Sequence, residues 1–186
     1  MGRSRGGLTT KVHALVDARG LPLELILTPG QAADCPAADG LLTRLRENTI
    51  LLADKAYDAD WLRRRIEEVG AAPNIPSKSN RRWKACFSPA LYRQRNRIER
   101  FFNRIKHFRR IATRYEKHAS NYLAFLKLAA TQIWLRQNES SCNSRLLPRN
   151  RHAGHPAGWS KPRRGSSHGT LCRIGSVDGN DACVRR

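Results

Sequence analysis

Carboxylates are scarce in this chain: 15 Asp and Glu stand against 35 Lys and Arg in 186 residues, a formal charge of +20. An excess of that size says little about fold, but it points to a polyanionic partner, most simply nucleic acid. No uncharged apolar run reaches the length of a membrane span. A membrane surface is the weaker reading, because no terminal stretch pairs a basic face with a clean apolar one. The start is basic, but Lys11, His13 and Asp17 interrupt the next residues, which excludes a signal-peptide core. Gly6 stands where a myristoylation signal needs Ser or Thr, and the closing Cys183-Val184-Arg185-Arg186 is no prenylation box. Cysteines number five, an odd count without framework spacing, so a reducing, cytosolic chain is expected. No glycine loop of the nucleotide-binding type is present.

The residues that are present divide the chain unevenly. Up to about Arg136, apolar-rich segments alternate with turn signals. Beyond Asn138 the sequence turns rich in Ser, Gly, Arg and Pro, with Trp159 as its one aromatic. Such a stretch has too little apolar surface to offset chain entropy, so residues 138–186 are expected to form a disordered basic tail after a domain over 1–137. Within the domain, Leu8 to Val16 alternates as a strand, with Leu8, Val12, Ala14 and Val16 on one side. Asp17-Ala18-Arg19-Gly20 is a hairpin turn and Leu21 to Thr28 a second strand. Helices are expected over 36–46, capped by Asp34, and over 58–69, with the short buried strand Thr49 to Ala53 between them. Residues 71–87 read as a loop, 88–109 as one long helix and 120–136 as a last helix. The order is that of an α/β fold with a mixed sheet.

Two segments could carry chemistry. In the long helix, Tyr92, Arg95, Glu99 and Lys106 fall within an arc of roughly 60° beside the apolar stripe Leu91, Ile98, Phe101, Phe102 and Ile105. Glu99 can pair with Arg95, as on any solvated helix face. One carboxylate cannot neutralise Arg93, Arg95, Arg97, Arg100, Arg104 and Lys106, however, and phosphates would supply the missing anions. The second segment is Leu51 to Asp58. Asp54 stands just past a buried strand, at the end where α/β sheets place ligands. Asp58, four residues on, is expected to cap the following helix.

The spacing of Tyr92, Arg95, Glu99 and Lys106 resembles the Tyr–Arg–Glu–Lys signature of bacterial insertion-sequence DDE transposases. Asp54-Lys55-Ala56-Tyr57 is similar to the family's second-aspartate motif, and Gly6 to His13 and Leu27 to Gln31 resemble further blocks of the group. The resemblance covers about residues 2–137. It implies a ribonuclease-H-like fold, a mixed sheet flanked by helices. It also implies acidic ligands for Mg²⁺ or Mn²⁺, with Asp54 as the second acid and Glu99 as the third. Arg95, Lys106 and Tyr92 would then contact phosphates near the cut end of the DNA.

In the family the first aspartate lies on a strand before the Gly-Gly-Leu-Thr-Thr-Lys block, and this chain opens at that block. An amino-terminally truncated domain, inactive alone, is therefore expected, either a second-frame product or a decayed copy. Its partners would be insertion-sequence ends and target DNA, an upstream-frame product or full-length transposase, and a second copy of itself. Its place would be the bacterial cytoplasm, at the nucleoid. Asp17 is a poor substitute for the first acid because it belongs to a turn. A second reading is a non-catalytic basic protein that coats DNA or RNA, but such a protein has no need of Asp54 and Glu99 within a cationic surface. His152, His155, His168, Cys172 and Cys183 lack the spacing of a zinc site. His13 and His118 read as packing or surface residues, and Tyr122, Leu123, Phe125, Leu126, Ala129, Ile133 and Trp134 as core or an oligomer face.

Overall fold

The computed structural model describes residues 2–4, 7–146 and 170–178. The strands are β1 (Gly2–Ser4), β2 (Gly7–Val16), β3 (Pro22–Pro29), β4 (Thr49–Leu52), β5 (Ala72–Asn74) and β6 (Thr170–Asp178). The helices are α1 (Asp34–Leu42), α2 (Asp60–Glu68), α3 (Pro89–Tyr92), α4 (Asn96–Lys106), α5 (Arg109–Ala112) and α6 (Ala119–Leu146), with 3-10 turns at Lys55–Tyr57 and Arg93–Arg95. Together they form a mixed α/β sheet with helices on both faces.

The hairpin is built as its alternation dictates. β2 and β3 pair antiparallel from Thr10↔Pro29 to Val16↔Pro22. The Asp17 carboxylate closes the turn by accepting the Arg19 and Leu21 amides, each at 2.8 Å. Gly20 sits at φ +82°, where a side chain would be strained and would also press on the Arg97 carbonyl. β4 and β5 pair parallel, Ile50↔Ala72 to Leu52↔Asn74. β6 runs between the two pairs, antiparallel to β2 and parallel to β4. The period-two pattern then sorts side chains onto two cores. Val12, Ala14 and Val16 meet Ile98, Phe101, Phe102 and Ile105 of α4 and Tyr122, Leu126, Ala129 and Ile133 of α6. Leu15, Leu51, Cys172 and Ile174 meet Leu41 and Leu42 of α1 and Leu62 and Ile66 of α2. Among the described residues, no helix is long and apolar enough to cross a membrane.

Several expectations are corrected. Residues 138–146 and 170–178, assigned to a disordered tail, are the end of α6 and the strand β6. Composition missed β6 because Cys172 and Ile174 become core only once a sheet stands ready on both sides. The remaining expectations for the tail, residues 147–169 and 179–186, lie outside the described residues. The loop 71–87 begins with β5, whose Pro73 is tolerated at the end of the strand order β1-β2-β6-β4-β5. The helix expected over 88–109 is broken into α3, a 3-10 turn and α4. Asp34 makes no cap hydrogen bond; it lies in the first turn of α1 and pairs with Lys11 at 3.2 Å.

Candidate functional site

Beyond Leu52 the chain stays extended through Ala53 and Asp54 and then turns sharply at Lys55–Tyr57. Ala53 and Tyr57 are buried, which fixes the turn from both sides. His13, fully buried in β2, lies within hydrogen-bond distance of the Tyr57 hydroxyl (3.0 Å) and of Thr28 Oγ1 (2.7 Å). His13 is thus a packing residue, as expected. Asp54 is carried to the carboxyl end of β4, its side chain 38% exposed.

The broken helix lies over this point. The Tyr92 hydroxyl donates to Asp54 Oδ1 at 2.8 Å, and Arg95 Nη1 donates to Oδ2 at 2.9 Å. The other arm of the same guanidinium, Nη2, donates to Glu99 Oε1 at 2.6 Å. One cation therefore spans both carboxylates. It also stacks near the Tyr92 ring, 5.5 Å from its centroid. Burial, together with the hydrogen bond to Asp54, pushes the Tyr92 phenol up to about 12. Tyr92 is consequently a proton-bearing donor throughout the neutral range. The solvated-face reading of the Glu99–Arg95 pair holds as far as it goes, but the pair is tied to Asp54 across 41 residues of sequence.

Four of the five residues singled out from sequence thus meet. Lys106 does not join them; it lies half-buried at the last turn of α4. Arg93, Arg97, Arg100 and Arg104 are exposed, and Arg97, Arg100 and Arg104 gather beside Arg19 and Gly20 at the β2–β3 turn. Asp17 stays outside, its carboxylate committed to its own turn and to Arg19.

Oxygen donors of this kind suit Mg²⁺ or Mn²⁺. Among the described residues no group of three His, Cys, Asp or Glu is placed to hold a metal ion. Asp54 and Glu99 fit such an ion in kind.

Asp58 departs from its expected role. It is no helix cap, since Ala59 holds that position. Its fully buried carboxylate accepts Arg63 Nε at 3.0 Å, Arg63 Nη2 at 2.9 Å, the Lys78 amide at 2.8 Å and Arg81 Nε at 2.7 Å. Burial alone would raise this carboxyl, but the Lys78 amide and the two guanidinium groups outweigh it and hold it below the usual range. The clamp ties the 76–88 loop to α2. A second tie is the reciprocal pair Asn74–Ser88, at 2.8 and 3.2 Å. The loop ends with Phe87 against Tyr92, ring centroids 5.3 Å apart, so Asp58 supports the site from behind. Sequence offered one clue: Arg63 lies on the buried face of α2 beside Leu62 and Ile66, where a cation needs an acid.

Comparison with known proteins adds the family context. The sequence profile described as the transposase DDE domain matches residues 2–134. A putative transposase for insertion sequence element IS6501 from Brucella ovis is 45% identical over 130 residues, 69% of this chain and 100% of that protein. A putative transposase for insertion sequence element IS402 from Burkholderia cepacia is 31% identical over 142 residues, 70% of this chain and 64% of that protein. No solved structure matches.

Proposed function

This chain belongs to the transposase DDE domain family, and from that premise we propose that it carries part of a ribonuclease-H-like centre for DNA cleavage and strand transfer at insertion-sequence ends. Asp54 and Glu99 are two of its acidic ligands for Mg²⁺ or Mn²⁺. Tyr92 and Arg95 hold DNA phosphates beside them, and Lys106 does so from the far end of α4. The observation that carries this reading is the single Arg95 guanidinium shared between Asp54 and Glu99, two acids far apart in sequence that face one cation.

Divalent ions at such a pair supply an activated attacking oxygen and stabilise the leaving one. The chain's own residues do the rest. Arg95 screens the repulsion between the two acids and keeps them aimed at one point. Tyr92 fixes the Asp54 carboxylate through its hydroxyl. The exposed arginines of α4 and of the turn before it draw in the DNA backbone. On this reading a third acid completes the centre, and without it the chain does not cleave DNA. A third acid comes from another strand, from an upstream-frame product or from full-length transposase. The site of action is the bacterial nucleoid, and a second copy of the chain is a further partner.

The test is Mg²⁺- or Mn²⁺-dependent nicking at element ends by a chain extended at residue 1 with an aspartate-bearing strand from the neighbouring frame. In that extended chain Asp54→Asn or Glu99→Gln should abolish cleavage and leave DNA binding nearly intact. Arg95→Ala and Lys106→Ala should weaken end binding, and Asp17→Asn should do little. Cleavage that survives Asp54→Asn and Glu99→Gln would refute the assignment and leave a basic nucleic-acid-binding protein.

A further inference from the structure

Three guanidinium groups of α4 stand together without an acid. Arg97, Arg100 and Arg104 follow helical spacing and fall within an arc of about 60°. Glu99 lies roughly 130° round the helix from the middle of that arc, so the row faces away from the acids. With Arg19 and Gly20 of the β2–β3 turn, the three line a hollow of about 100 Å³. The local sequence shapes it. Gly20 has no side chain, and a Cβ there would come within 3.3 Å of the Arg97 carbonyl, so the turn lies directly against α4. Arg97 Nη1 donates to the Ala18 carbonyl and pins the turn from the helix side.

Charge is unbalanced at this place. Arg100 and Arg104 are exposed and bond no acid among the described residues. Behind the turn a further cation, Arg173 of β6, is fully buried. Its guanidinium donates to the Gln94 carbonyl (2.7 Å), the Asp17 carbonyl (2.9 Å) and Gln94 Oε1 (3.1 Å), none of them charged. Burial first, and then the charge of Arg97, pulls it down to about 10. Asp17 is the one carboxylate bonded to any of these five cations, and it also accepts the Arg19 and Leu21 amides. Like charges gathered so closely repel one another, and a bound anion relieves the repulsion. Guanidinium forks match the oxygens of a phosphate.

The row continues past Arg104. His107, three residues on, and Arg136 of α6 join Arg104 around a second hollow of about 420 Å³. From Arg97 to His107 is about 15 Å of helix. A track of that length suits a polymer of phosphates better than a single small anion.

We propose that this flank of α4, with the β2–β3 turn, is a second phosphate track for the backbone of duplex DNA, separate from the phosphates beside Asp54 and Glu99. The proposal rests on the DNA-binding reading given above and gives the α4 arginines a place of their own, apart from Tyr92, Arg95 and Lys106. Gripped on both flanks of α4, a duplex is fixed in orientation relative to the acids.

The test measures duplex binding by the full chain across a range of salt. Arg100→Gln and Arg104→Gln should each reduce the slope of log affinity against log salt by about 0.9, one phosphate apiece, and leave the melting temperature unchanged. Arg64→Gln is the control: it removes the same charge from an exposed position of α2, which packs on the opposite face of the sheet from α4, and should leave the slope as it is. Equal effects of Arg64→Gln and Arg100→Gln would overturn the track and show attraction by net charge alone. Weakened binding in Arg95→Ala, with Arg100→Gln and Arg104→Gln unaffected, would also overturn it and leave the function proposed above standing. The reverse result would uphold the track and count against DNA at the acids. Arginine footprinting with phenylglyoxal, mapped by mass spectrometry, gives a second reading: the duplex should slow modification of Arg100 and Arg104 and not of Arg64. Protection by vesicles of anionic phospholipid and not by the duplex would assign the track to a membrane surface and refute the proposal.

Discussion

Replacing Asp58 with alanine removes the acceptor of four hydrogen bonds from Arg63, Lys78 and Arg81. Arg63 is itself buried, 7% exposed, and would keep its charge with only the Ile75 carbonyl as partner. Breaking a buried pair from one side costs about 3–5 kcal/mol. For a domain of this size each kcal/mol is worth roughly 2–4 °C, so the melting temperature should fall by roughly 6–20 °C. Asp58→Asn keeps the shape and one acceptor and should lose less. The pH dependence gives a second reading. The carboxyl is depressed in the folded chain, so its contribution is fully present above its unfolded value of about 4 and is lost as pH falls through the lower folded value. Asp58→Ala should therefore flatten the acid limb of the stability curve. Calorimetry from pH 2 to 7 measures both effects. A loss below about 1 kcal/mol, or an unchanged acid limb, would refute the clamp.

The same geometry has other measurable consequences. Asp54→Asn removes the charge that disfavours a Tyr92 phenolate, so ultraviolet titration should show one tyrosine moving down from about 12. Duplex DNA binding should weaken steeply with salt, by about 0.9 in the slope of log affinity against log salt for each phosphate neutralised, and should be nearly sequence-blind. Deleting residues 147–186 removes β6 and opens the edges of β2 and β4, so it should lower the melting temperature and promote aggregation.

Local pattern carried the reading where the code is local. The β2–β3 hairpin followed from alternation and a turn whose Asp17 closes on its own amides. The cluster of Tyr92, Arg95 and Glu99 followed from helical spacing, although the helix is not continuous there. The Gln94 carbonyl, gripped from the sheet by Arg173, lies in the 3-10 turn between α3 and α4. That partner is 79 residues away, and no window of sequence contains both. The same limit hid β6, whose few apolar residues mean little until two strands flank them. It also hid the role of Asp58, whose partners Arg81 and Lys78 lie in a loop that looked merely basic and turn-rich. Contacts made by long cationic side chains to distant backbone leave no periodic trace.

The central claim is that Asp54 and Glu99 face one divalent ion, and paramagnetic broadening by Mn²⁺ tests it most directly. In nuclear magnetic resonance spectra of the full chain, increasing Mn²⁺ should broaden amides around Asp54, Tyr92 and Glu99 first. Asp54→Asn or Glu99→Gln should each remove that effect and leave the fold intact. Broadening centred on other carboxylates, or unchanged in both variants, would contradict the account.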